Sequence, residues 1–106
     1  MKIRLIRNSS LARLIKVDGI VLYPFIFCAA KRPSVKTINH ELIHILQVKR
    51  DGFIRFYFTY LKEYYQFRKK GLGHNEAYLS ISYEVEAYSN QTDLTYTGLW
   101  STRLTA

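Results

Sequence analysis

Residues 38–48 read INHELIHILQV, and this stretch constrains the fold more than any other. Leu42, Ile43, Ile45 and Leu46 surround His40, Glu41 and His44. A helix apolar on all sides belongs inside a protein, packed against other elements. The two imidazoles and the carboxylate are therefore expected to be buried or to line a cleft. Buried groups of that kind need partners.

On a helix, residues four apart lie on one face, one turn above the other. His40 and His44 thus project side by side and can reach one ion at a nitrogen–zinc distance of about 2.0–2.1 Å. Glu41 is turned about 100° from His40, which aims it at a water on the ion rather than at the ion. The plainer alternative is a pair of core histidines satisfied by hydrogen bonds. A catalytic zinc usually takes a third protein ligand. Position 50, six residues after His44, is Arg50, and His74 falls in the glycine-containing loop KKGLGHN. The remaining candidates are the acids Glu84 and Glu86. They lie about 200° apart on a helix, so they cannot both face one metal.

The rest of the chain predicts an α+β fold in a single domain over 1–106, with a strand region (1–34), a helical metal-site region (35–92) and a tail (93–106). KIRLIR alternates polar and apolar residues like a half-buried strand. ARLIKVDGIVLYPFIF reads as two β-rich runs around an Asp18-Gly19 hairpin turn, with Pro24 making the second an edge strand or shortening it. Ser34 is placed to cap a helix over 35–50, and Gly52 to end it. A second helix follows over 53–69, then a loop with a short turn from Asn75 to Tyr78. A third helix covers 82–92, with Ser82 as its cap. The tail reads as frayed chain or an edge strand.

Cys28 is the only cysteine among 106 residues, which excludes an intrachain disulfide and a cysteine-based zinc finger. The formal charge is +8. Without a helix-turn-helix or an aromatic RNA-binding signature, that charge implies a solvated basic surface rather than specific nucleic-acid binding. The longest apolar stretch, GIVLYPFIFCAA, is too short to span a membrane, and no signal peptide is evident, so a cytoplasmic protein is expected. The aromatic side chains of 53–69 exceed one helix face. They imply either burial on more than one side or peripheral contact with a membrane or partner.

HELIH and EVEAY (Glu84 to Tyr88) together resemble the gluzincin metallopeptidases. In these, HExxH is paired with a downstream helix reading ExxxD or ExxA. The wider patterns HELIHILQ and YEVEAYSNQ are similar to small bacterial proteins of this class, including the compact minigluzincins. The resemblance covers 37–50 and 82–92. It implies a minimal zincin-like fold with an active-site helix and a glutamate helix. His40, His44 and Glu84 would be the ligands of Zn²⁺, and Glu41 the general base that takes a proton from a metal-activated water during peptide hydrolysis. Glu86, four residues before Asn90, fits the second motif loosely and is the alternative ligand. Tyr88 stands where an aspartate is common, where its hydroxyl would steady a ligand histidine. Tyr83, Tyr88 and His74 are the candidate oxyanion stabilisers. The substrate implied is a peptide or protein. Two other readings are a zincin-like module that binds without cleaving, and a nucleic-acid-binding domain.

Overall fold

A computed structural model of the chain describes residues 3–14, 19–100 and 104–105. The architecture is α+β. Strand β1 (Ile3–Ile6) is followed by a short helix α1 (Ser10–Leu14), then strands β2 (Gly19–Leu22) and β3 (Phe25–Cys28). The helices α2 (Val35–Asp51), α3 (Phe53–Lys69), α4 (His74–Ser80) and α5 (Ser82–Asn90) come next, and a two-residue strand β4 (Leu104–Thr105) closes the sheet. The strand order is β2-β3-β1-β4. β2 and β3 are antiparallel, with Val21 opposite Ile26. β1 runs parallel to β3, with Leu5 opposite Ile26, and parallel to β4.

The N-terminal third differs from the sequence expectation. Part of the first β-rich run is helix α1, whose Ala12 amide is accepted by the Ser9 hydroxyl at 3.2 Å. Asp18 lies outside the described residues, so the expected Asp18-Gly19 turn does too. The hairpin observed joins β2 to β3 through Tyr23 and Pro24. Pro24 thus divides the second run in two: β2 takes the sheet edge and β3 an interior position.

α2 is the element around which the others pack. Ser34 caps it, accepting the Thr37 amide at 3.1 Å, and Gly52 ends it with φ +92°, its N–H donating to Val48. From Ile38 to Val48 every residue except Leu46 is buried. Ile38, Leu42 and Ile45 meet Ile3, Leu5, Val21 and Ile26 of the sheet, with Leu99 closing the cluster. Val48 joins Phe56, Ile81 and Tyr83 in a second cluster among the helices. Among the described residues no helix is long and apolar enough to cross a membrane.

The C-terminal segment is fastened to α2 by one buried amide. Asn39 donates to the carbonyls of Gln91 (2.7 Å) and Asp93 (3.1 Å), and its own oxygen accepts from the Trp100 indole (2.9 Å). Asn39→Ala leaves those groups without this partner. It should cost about 2 kcal/mol or more in urea denaturation and shift the emission of the single tryptophan to the red.

Candidate metal centre

The helices bring the two motifs face to face. His40 and His44 project from the middle of α2, and Glu84 from the first turn of α5. Each imidazole turns its Nε2 toward the carboxylate: His40 to Oε1 at 3.0 Å, His44 to Oε2 at 3.2 Å. All three side chains are buried, and one ligand atom from each lies within 4.8 Å of the others. Donors on a tetrahedron with bonds of about 2.1 Å stand roughly 3.4 Å apart, so the spacing suits a small cation.

The ring nitrogens on the far side strengthen this fit. His44 Nδ1 lies 2.7 Å from Gln47 Oε1. Gln47 Nε2 donates to the Tyr83 carbonyl and to Glu86 Oε1, both pure acceptors here, which fixes the amide orientation. Nδ1 of His44 therefore carries the hydrogen, and in the neutral ring Nε2 presents a lone pair to Glu84. His40 repeats the arrangement, with Nδ1 2.9 Å from Gln91 Oε1. Two nitrogen lone pairs facing a carboxylate repel unless a cation lies among them, whether a proton or a metal ion. Holding the outer nitrogen by hydrogen bond is also how a ligand histidine is oriented. A metal ion fits these donors.

Without metal, protons serve the same electrostatic need. Burial is the largest influence on His44 and lowers its pKa, but the hydrogen bond to Glu84 and the charges of Glu41 and Glu84 outweigh it, raising the value to about 9. Burial is likewise the largest influence on Glu84 and opposes ionisation. Hydrogen bonds from His40, His44 and Tyr60 overcome it and hold the carboxyl well below the usual range. The Tyr60 hydroxyl, on α3, donates to Glu84 Oε2 at 2.6 Å.

Glu41 does not join the ligand cluster. It is buried beside β2 and lines a cleft of about 660 Å³ together with His40, Tyr60, His74, Tyr78 and Tyr88. A second cavity, of about 280 Å³, runs along β2 and is lined by Glu41, His44 and Glu84. Gly19 passes so close that a Cβ there would stand 3.0 Å from Glu41 Cδ and 3.1 Å from Oε2. Glycine is what lets the strand edge and the carboxylate share this space.

Glu86, the alternative ligand, points elsewhere. It receives two hydrogen bonds from Arg50, at 3.0 and 3.1 Å, and others from Gln47 and Tyr96. Tyr83 also leaves the cleft: its ring packs on Phe56 and its hydroxyl donates to Asp51 at 2.7 Å. Tyr88 meets His40 through its ring, centroids 4.6 Å apart in an edge-on contact, so the glutamines rather than Tyr88 hold the outer nitrogens. His74 opens α4 rather than sitting in a loop. The Tyr64 hydroxyl accepts from Arg68 and lies 2.8 Å from His74 Nδ1. Ser82 is not the cap of α5. Its N–H and hydroxyl both donate to Glu63 of α3.

Sequence reasoning assigned no part to Gln47, Gln91 or Tyr60. The two glutamines end the wider patterns HELIHILQ and YEVEAYSNQ, and Gln47 stands one helical turn from His44, a spacing at which side chains meet. No protein-family model matches the chain, and no curated protein or solved structure matches it.

Two outcomes follow for purified protein. Glu84→Gln should lose bound metal by elemental analysis, whereas Glu86→Gln should keep it. In the metal-stripped chain the raised His44 pKa favours the fold fully below the unfolded value, 6.5, and this contribution disappears as pH rises through about 9. The thermal midpoint should therefore fall across that interval, and added zinc should flatten the fall.

Proposed function

We propose that this chain is a zinc-dependent metallopeptidase of gluzincin type, hydrolysing peptide bonds. The observation that carries the reading is the approach of Glu84, forty residues downstream, to Nε2 of both His40 and His44, with Glu41 beside them on the cleft wall. His40, His44 and Glu84 would hold the zinc. When bound, zinc supplies a Lewis acid that polarises a carbonyl and acidifies water. Glu41 accepts the proton of the attacking water and returns it to the leaving amine. The imidazole of His74 and the hydroxyls of Tyr78 and Tyr88, all on the cleft wall, are the groups suited to the developing oxyanion.

The edge strand β2 lies along the same cavity, and an extended peptide can add to such an edge. Only part of that edge is open. The Tyr57 hydroxyl donates to the Val21 carbonyl at 2.7 Å and lies 3.4 Å from the Tyr23 amide. Gly19, whose backbone faces the same way as that of Val21, is then the position of β2 at which a substrate strand would pair, next to Glu41.

A second reading, a metal-holding module that binds without cleaving, draws support from the large apolar side chains exposed on α3. The two separate on one variant. Glu41→Gln should retain zinc and lose at least about 10²-fold of any peptide cleavage that 1,10-phenanthroline also blocks. Cleavage at the wild-type rate in that variant removes Glu41 from its role. Zinc binding with no cleavage of any peptide in a diverse library favours the second reading.

A further inference from the structure

α3 is amphipathic in an unusual sense, because it has two apolar faces. One packs inward through Phe56, its single buried residue. The other looks outward. Ile54, Phe58, Leu61 and Tyr65 are 81%, 66%, 66% and 64% exposed. At 100° per residue they fall within about 60° of one another, on the side away from Phe56. The result is a continuous stripe along a helix about 25 Å long. Isolated exposed apolar residues are ordinary, but four large ones in a row are not.

The charges beside the stripe identify what covers it. Arg55, Lys62 and Lys69 run along one flank, and Arg68, Lys69 and Lys70 gather at the C-terminal end, all exposed. The only acid of α3, Glu63, is turned to the opposite side and occupied by Ser82. A second copy of this chain is a poor occupant, since a two-fold contact would set these cations against their own images. A negatively charged surface with an apolar interior satisfies both parts of the pattern. Phosphate headgroups meet the ammonium and guanidinium groups, while the four side chains enter the acyl boundary beneath.

We infer that the outer face of α3 is a docking surface for anionic phospholipid membrane, on which the helix lies parallel to the bilayer plane. Leu61 belongs both to the stripe and to the cleft wall, so docking brings the mouth of the cleft close to the lipid surface. The inference does not depend on peptidase activity or on metal.

Cosedimentation of the full chain with phosphatidylcholine vesicles, with and without phosphatidylglycerol, tests it. Binding is expected with the anionic vesicles, weaker in high salt, and at least roughly tenfold weaker in Ile54→Ser/Phe58→Ser/Tyr65→Ser. Lys62→Gln/Lys69→Gln should lose roughly fivefold per charge. Far-UV circular dichroism and zinc content report whether each variant keeps its fold, and the charge variant, which leaves the apolar stripe intact, serves as the second arm. The inference is overturned if the wild-type chain fails to pellet with anionic vesicles. It is equally overturned if the serine variant pellets as well as wild type, which would mean attraction by charge alone. A wild-type dimer that the serine variant converts to monomer would assign the face to a second copy instead.

Discussion

A buried carboxylate held between two imidazole nitrogens is the interaction on which the rest of the structure turns. Glu84 meets Nε2 of His40 at 3.0 Å and of His44 at 3.2 Å, away from water that would otherwise solvate it. Such a group is tolerable inside a protein only when positive charge and hydrogen bonds compensate its burial. The requirement dictates the packing: α2 must present both histidines inward, α5 must lie across them, and α3 must bring the Tyr60 hydroxyl to the same carboxylate. The sheet covers the remaining apolar side of α2.

Gln47 ties this centre to the protein surface. Its amide joins His44 to the Tyr83 carbonyl and to Glu86, which in turn holds Arg50. The two acids of α5 thereby divide their work. Glu84 faces the histidines, and Glu86 anchors α5 to α2 through the network that fixes the His44 tautomer. Positions two apart on a helix point to different sides, and here both sides are used.

The site was more legible in the sequence than the fold around it. HELIH announced itself because polar groups in so apolar a helix need partners, and the ends of α2 were marked by Ser34 and Gly52. The choice of Glu84 over Glu86 came from family resemblance, whereas the structure separates them by contact: Glu86 has Arg50. α1 was missed because five residues show too little periodicity beside the β-rich run that follows them, although Leu, Ala and Arg favour a helix, and so short a helix depends on its Ser9 cap and on packing. α4 was missed because Gly71 and Gly73 signal a loop, and seven residues show too little periodicity to overrule them. The supporting glutamines carry no motif of their own. An amide becomes part of such a centre only through the fold that delivers it, as Gln91 is delivered by the end of α5 to His40 from another helix. In 53–69 the steps of three and four group Phe56, Tyr57, Tyr60 and Tyr64 apart from Ile54, Phe58 and Tyr65, and the structure packs the first set and exposes the second; Leu61, which those steps place with the first set, is exposed with the second.

The account stands or falls on where a metal binds. Crystals of the zinc-loaded chain, with diffraction recorded on both sides of the zinc absorption edge, give the most direct answer. The account predicts one anomalous peak per chain within bonding distance of His40 Nε2, His44 Nε2 and a Glu84 carboxylate oxygen. A peak elsewhere, or zinc-saturated crystals with no peak between α2 and α5, would contradict it.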